Sequence, residues 1–388
     1  MDNLKTIASK SQASTTAYIE AHNSRAARLK ALDDARKLVL ELQDGDDAFS
    51  YRLEQAISAQ ALTFLLSIGV AEKIPTKGSI TAEELAKAVG AEKEMIVRMM
   101  RLVCCTGTFE ETAQDEYAYT KRSVCLIDQG YSYLYEVLLG DIMTIMSRLR
   151  EYYATHPLET PTSRTHNPFS WSFGAEGTEW PQIFAAHPDI QRKFSIGMSG
   201  PWNDVSPTGI YPFSPELAEV SQSPEIQSCE RALIVDLGGA WGKTMKVVRE
   251  AHPELKGKMV VQDLVQDLAP VIAKMPEGFH APDTNIEVMA HDVREPQPVK
   301  GAAAYYFHRV MHNWPDETCV LMLKRVAEVM APDSRILLAE TVVPDRVQSA
   351  DTYPYWIDYM MALVAAKERT EKEFGDVMGA AGLEVVKV

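Results

Sequence analysis

Residues 305–317, YYFHRVMHNWPDE, set two histidines four residues apart, behind a Tyr-Tyr-Phe run and ahead of Trp-Pro-Asp-Glu. An imidazole, with an ordinary pKa of about 6.5, is the side chain best suited to accept a proton near neutral pH. A hydroxyl is a poor nucleophile until its proton leaves, so a histidine beside one is a candidate base. His308 and His312 are the first residues to place. The alternative for each is packing at a strand–helix junction.

A second constellation, VDLGGAWGKT at 235–244, follows an apolar run and opens a helical pattern. Three glycine-loop chemistries compete for it. A Walker-type phosphate loop needs glycine where Leu237 stands. A dinucleotide GxGxxG starting at Gly238 needs glycines where Ala240 and Lys243 stand. What remains is acidic-x-Gly-x-Gly-x-Gly, read as Asp236, Gly238, Ala240 and Gly242, with alanine in the middle place. That pattern suits S-adenosylmethionine. Small residues let the backbone approach the methionine part, and Asp236 can bind its ammonium group directly or through water. A plain tight turn between strand and helix is the competing account.

Two further acids sharpen the pattern. Asp263, 27 residues after Asp236, ends the next strand-like run, where a carboxylate can accept both ribose hydroxyls. Asp292 ends the third run, where a side chain can reach an adenine amino group. One strand-end Asp is commonly a cap or turn former. Three at successive strand ends are harder to explain that way.

These residues need a scaffold, and the chain from 231 onward supplies its pattern. ALIVDL, KMVVQDL, IEVMAHD, AAAYYFH, RILLAET and a final LEVVKV read as strands, with helical patterns between them, clearest at 315–331 and 370–381. Such alternation predicts a parallel sheet flanked by helices, with ligands at the strands' carboxyl ends. Upstream, 14–43 reads as one polar helix and 51–74 as a more apolar one ending at Gly69. Thr81 with Glu84 forms a capping-box start, Gly90 a helix end, and 92–106 a second helix. TFEET and EYAYT then read as a hairpin. Helix, turn, helix, hairpin is a winged-helix layout, read here as a dimerisation and lid module rather than a DNA reader. Residues 128–225 read as helical and aromatic-rich, with 155–181 irregular. The expected organisation is an N-terminal dimerisation domain at 1–130, a helical substrate-pocket region at 131–225 and a catalytic domain at 226–388.

Bulk properties narrow the partners. The net charge of −15 over 388 residues argues against nucleic acid, since phosphate binding needs a basic face. Five cysteines form neither a zinc pattern nor a disulfide framework, which points to a reducing, cytoplasmic compartment and to no metal site. No run of about 18 apolar residues exists, so no membrane span is expected.

On ITAEELAKAVGAEKEMIVRMMRLV, VDLGGAWG, VVQDL, HDVREPQPVKGAAAYYFHRVMHNWPDE, AETVVPD and KERTEKEF, in that order, the chain resembles the fungal and plant small-molecule O-methyltransferases of the caffeic-acid type. The resemblance covers roughly 35–388. It implies an α/β fold: a Rossmann-like doubly wound class I methyltransferase domain preceded by a mostly helical winged-helix dimerisation domain, working as a homodimer. It implies S-adenosylmethionine as cofactor, held by Asp236, Gly238, Gly239, Asp263, Leu264, Asp292, Val293 and His308. His312 matches the family's general base, and Glu340 and Glu368 the two acids that flank it. The implied substrate is an aromatic or polyketide-derived small molecule, with Phe194, Met198, Trp202, Tyr359, Met360 and Met361 as candidate pocket residues.

Three departures from the family pattern stand out. Asn313 replaces the usual Asp of His-Asp-Trp. Val293-Arg294-Glu295 replaces a pair of apolar or aromatic residues. The chain stops at Val388, on what reads as its sixth strand. A few fungal relatives of this fold use the cofactor's charge and nearby donors to promote dehydration or pericyclic reactions, and Arg294 would serve such a pericyclase as a catalytic donor. Both readings, O-methyltransferase and pericyclase or dehydratase, stand on the sequence.

Overall fold

Five largely apolar runs form the sheet that carries the candidate site, the three central ones buried almost throughout and the two edge ones only in part. They are β4 (Ala232–Leu237), β5 (Lys258–Asp263), β6 (Ile286–Ala290), β7 (Ala304–His308) and β8 (Arg335–Ala339). All pair in parallel, in the order β6-β5-β4-β7-β8. The strand order reverses between β4 and β7, the place where ligands settle in open sheets of this kind.

The alternation of side chains sends each strand's residues to two different cores. Val235, Leu237, Tyr305 and Phe307 pack with Met322, Leu323 and Phe374, from helices Asp316–Ala327 and Glu371–Ala380. Ile234, Val261, Ala304 and Tyr306 pack with Phe213, Leu217, Met245 and Val248, from helices Phe213–Ser221 and Lys243–Ala251. Helices on both faces make the sheet doubly wound, as the sequence predicts.

The computed structural model describes residues 2–21, 24–198, 211–240, 242–264, 285–347 and 352–388. The chain divides into two compact units. One comprises Met1–Leu158, Pro168–Asn203 and Val347–Thr352; the other, with the five-stranded sheet, comprises Glu159–Asn167, Asp204–Arg346 and Tyr353–Val388.

The first unit begins with α1 (Asp2–Glu20), α2 (Arg25–Leu42), α3 (Gly45–Ser67) and the short α4 (Val70–Lys73). Residues 14–43, expected as one helix, are split between α1 and α2. Ser24 accepts from Ala27 N–H at 3.4 Å and so starts a new helix, the ordinary work of an N-cap serine. Asp44 caps α3 in a reciprocal box with Asp47. α5 (Ala82–Val89) opens on the Thr81–Glu84 box and closes at Gly90 with φ +71°. α6 (Lys93–Cys105) follows. β1 (Ile80–Thr81), β2 (Phe109–Ala113) and β3 (Glu116–Tyr119) form a small antiparallel sheet in the order β1-β3-β2. This is the winged-helix layout, and Leu65, Leu85, Ile96, Met100 and Phe109 form its core.

The final run, LEVVKV, is not a strand here. Val385, Val386 and Val388 are 42%, 94% and 82% exposed, and no described strand pairs with them. β-branched residues become a strand only where a neighbouring ladder takes up their backbone groups.

Candidate active site

Each strand of the sheet delivers one polar group at or just past its carboxyl end: Asp292 after β6, Asp263 on β5, Asp236 on β4, His308 on β7 and Glu340 after β8. The row follows the strand order, so the parallel topology gathers side chains that lie far apart in sequence.

Asp236 is 1% exposed, and neither of its carboxylate oxygens has a hydrogen-bond partner. Burial, with Asp263 nearby, pushes its pKa up to about 8. An orphaned buried carboxylate is costly and calls for a partner the protein does not itself supply. The glycine turn wraps this group. Gly238 has φ +75°, and a Cβ on Gly239 would lie 2.4 Å from Asp236 Oδ2. Gln262 O accepts from Gly238 N–H at 2.8 Å and Gly239 N–H at 3.2 Å, tying the turn to β5. Ala240, in the middle glycine's place, adopts φ +49°, a left-handed conformation that costs a non-glycine residue.

Asp263 accepts from Ala240 N–H at 2.7 Å and Leu264 N–H at 2.8 Å. Burial raises its pKa, and those two N–H groups oppose the rise. Asp292 is held differently. Arg294 Nε donates to both its oxygens, at 2.9 and 3.1 Å, Arg294 Nη2 donates to Oδ2, and the Arg294 backbone N–H adds a bond at 2.9 Å. The guanidinium holds the Asp292 carboxyl below its usual range. It also lies 5.0 Å from the centroid of the Trp314 ring. Val293, between the two, packs against the core beneath.

The histidines part company. His308 is half-buried, its Nδ1 3.3 Å from Thr244 Oγ1 and its ring stacked on Tyr306. Burial, then the neighbouring Arg309, drives its pKa down to about 4, so it is neutral at ordinary pH. His312 lies in a 3-10 turn, Met311–Asn313, reached through Arg309 at φ +57°. It is 7% exposed, and its Nδ1 meets Glu368 Oε1 at 2.7 Å. A carboxylate only accepts, so Nδ1 donates to it, and in the neutral ring Nε2 is the nitrogen with the lone pair. Glu340 does not bond the ring. Its Oε1 accepts from Val310 and Met311 N–H, both at 2.8 Å, which fixes the backbone leading into the turn. Burial raises its pKa. Ligand atoms of His312, Glu340 and Glu368 all lie within 4.8 Å of one another, and Glu340 Oε2 and Glu368 Oε2 are buried without partners.

Of the candidate pocket residues, Phe194 packs on Trp180 and Phe184 in the first unit, and Met198 ends the helix Pro188–Met198. Tyr359, 53% exposed, lies with Met360 and Met361 on the helix Tyr353–Ala362 of the second unit. Trp202 lies outside the described residues. Two arginines around the histidine turn, Arg164 and Arg369, were not anticipated. Arg369 stands in the KERTEKEF run beside Glu368, but nothing in its spacing announces what it touches.

A doubly wound sheet with a glycine turn, and with acids along its carboxyl edge, defines a class I methyltransferase. Residues 218–384 match the O-methyltransferase domain and 52–129 the O-methyltransferase dimerisation domain. The O-methyltransferase kntB of Aspergillus niger is 30% identical over 366 residues, covering 94% of this chain and 85% of that protein. The demethylsterigmatocystin 6-O-methyltransferase of Aspergillus flavus is 30% identical over 315 residues, 79% of this chain and 75% of that one. This chain belongs to the O-methyltransferase family, and it is an S-adenosylmethionine-dependent enzyme.

Among solved structures, LepI in complex with SAM aligns with a TM-score of 0.84 at 21% identity, over 99% of this chain and 95% of that one. OxaC in complex with SAH and oxaline aligns at 0.83 and 24%, over 100% and 95%. One further neighbour, with the same score and coverage as the LepI complex, is described as a pericyclic reaction enzyme. The fold is therefore shared across different chemistries and does not choose between them. The residues present fit the family's cofactor: an orphaned buried carboxylate, a turn whose glycine a Cβ would fill, and carboxylates at the ends of the next two strands.

Proposed function

We propose that this enzyme methylates a phenolic or enolic hydroxyl of an aromatic or polyketide-type secondary metabolite, with His312 as general base. The observation that carries the reading is the buried His312–Glu368 pair at 2.7 Å, on the carboxyl side of the sheet. Asp236, Asp263 and Asp292 would hold the cofactor's ammonium, ribose and adenine, with Gly238, Gly239, Leu264, Val293 and His308 beside it. When bound, the cofactor supplies an electrophilic methyl group on a sulfonium centre.

This chain's own contribution is proton handling and placement. Glu368 accepts a hydrogen bond from Nδ1–H and fixes the tautomer, so Nε2 is the atom that takes the acceptor's hydroxyl proton. The imidazolium so formed is stabilised by the carboxylate beside it. Glu340 holds the backbone N–H groups of 310 and 311, so the ring does not drift from the line of attack. A neutral His308 next to the cofactor avoids adding a second positive charge there.

Arg294 bears on the pericyclase alternative. Its guanidinium is engaged with Asp292 and the Trp314 ring, which fits a part in holding the adenine-side loop better than donation to a reacting group. The names of the relatives support oxygen as the acceptor atom. Exposed Leu29, Leu40, Phe49, Ile57 and Phe64 on α2 and α3, together with the dimerisation-domain match, support a homodimer formed through the first unit. No described helix is long and apolar enough to cross a membrane.

The test is incubation of the enzyme with methyl-labelled S-adenosylmethionine and a panel of phenolic and enolic acceptors. Label in the product, formed about 10²–10⁴-fold more slowly by His312→Gln, is the expected result. Product formed without label, while the cofactor is recovered intact, would instead establish the pericyclase or dehydratase reading.

A further inference from the structure

Four successive carbonyls make up the turn that carries His312, and each is taken by a donor from another part of the chain. Met311 O accepts from Arg369 Nη1 and Trp314 O from Arg369 Nη2, both at 2.8 Å. His312 O accepts from Lys367 N–H at 3.2 Å. Asn313 O accepts from Arg164 Nη1 at 2.6 Å. Arg164 comes from the irregular segment 159–167 and also stacks on the next residue, its guanidinium 4.2 Å from the Trp314 centroid. Buried Asn167 closes that segment on itself, donating to Ser163 O at 3.0 Å and Arg164 O at 2.9 Å.

Arg369 is 0% exposed, the largest fully buried side chain among the described residues. Its Nε and Nη2 both reach Asp316 Oδ1, at 2.9 and 2.7 Å, which balances the charge. A buried, paired guanidinium is weak evidence for stability, since apolar residues of similar volume commonly serve as well. What an apolar residue cannot do is hold two carbonyls on either side of His312 at once. The same backbone step presents Glu368 to the ring and Arg369 to the turn, so the orienting carboxylate and the turn it orients share one rigid frame.

From this geometry we infer that Arg369 and Arg164 are positioning residues. They act through the His312 turn and fix the imidazole against Glu368. The inference rests on His312 being the base, and the experiment separates the two ideas.

Arg369→Lys, Arg164→Gln and His312→Gln are compared with wild type in three measurements: cofactor affinity by calorimetry, kcat with an accepted substrate, and the downfield proton resonance of the Nδ1–H bonded to Glu368. The resonance is assigned by its loss in His312→Gln. Because 1 Å of misplacement costs on the order of 10²-fold, Arg369→Lys should lower kcat by about that factor and Arg164→Gln by about tenfold. Cofactor affinity should stay within about twofold in both, and the resonance should broaden or vanish in both. A wild-type kcat and an intact resonance in both variants overturn the inference, as does lost thermal stability with kcat intact. If Arg369→Lys does not fold, Arg164→Gln decides by the same readings. If His312→Gln keeps full activity, the base assignment fails, and the resonance in the arginine variants still judges the positioning claim.

Discussion

Replacing Glu368 by Gln keeps the shape of the site and removes one charge. In the wild type the carboxylate accepts from His312 Nδ1 at 2.7 Å, with side-chain exposures of 1% for Glu368 and 9% for His312. Water therefore cannot substitute for it. A hydrogen bond to a charged group contributes about 1.5–3 kcal/mol. At about 1.36 kcal/mol per tenfold, that predicts a fall in kcat of about 10- to 150-fold. The loss should appear in kcat rather than in the cofactor's KM, because the charge is needed when the ring takes its proton. His312→Gln should cost about 10²–10⁴-fold, the usual worth of a general base. The decisive measurement is the double variant, assayed by transfer of labelled methyl. If Glu368 works only through His312, adding Glu368→Gln to His312→Gln should change the residual rate by no more than about twofold. Fully additive losses would mean that Glu368 acts on something else, and the proposed division of labour would be wrong.

Four further outcomes follow from the cofactor side. With Asp236 raised to about 8, the free protein holds that acid protonated at pH 7, and binding an ammonium group must release the proton. Cofactor affinity should therefore rise about tenfold between pH 7 and pH 9 relative to Asp236→Asn, read by calorimetry in buffers of different ionisation enthalpy. In the free protein a raised folded-state pKa adds stability at acid pH that is lost as pH climbs through about 8, and Asp236→Asn should remove that slope. Ala240→Gly relieves a left-handed alanine at φ +49° and should raise stability by up to about 1 kcal/mol in urea melts. Arg294→Ala breaks a partly exposed pair with Asp292, worth up to about 1 kcal/mol, so cofactor affinity should fall by about fivefold or less with kcat preserved. A large fall in kcat instead would favour direct action of Arg294 on the reacting substrate.

The sheet was legible because its strands are largely apolar runs of strand length, most clearly the central three. ALIVDL is all buried in β4, and AAAYYFH contains β7 whole. The three acids were legible for a related reason: each stands where an apolar run stops, and a parallel sheet aligns such stops on one edge. Partnership across the site was not legible. Either glutamate was open as the ring's partner, and only the fold sends Glu368 to Nδ1 and Glu340 to the backbone N–H groups. Arg294 turning back on Asp292, two residues away, depends on a local bend with no periodic signature. Arg164 reaches Asn313 across 149 residues from a segment without regular structure. LEVVKV misleads in the opposite sense, since it has strand composition but no described strand pairs with it.

On the proposed reading, environment divides labour between identical side chains four residues apart. His308 closes a strand, meets a hydroxyl and an arginine, and is pressed toward the neutral form by burial, with its pKa near 4. A base that weak holds a substrate proton poorly at neutral pH. His312 sits one turn further on, where Arg309 at φ +57° redirects the chain and a carboxylate waits at 2.7 Å. A base must carry its proton during the reaction, and a carboxylate at this place is positioned to balance that charge. The proposed choice of base thus rests on the partner and not on the imidazole alone. By the same reasoning, a carboxylate placed beside His308, as in Thr244→Asp, should raise that ring's titration point toward neutrality without creating activity in His312→Gln. NMR titration of the histidines together with a rate assay would read both. Restored activity would show that proximity to the cofactor, and not the geometry of the 311–313 turn, selects the base.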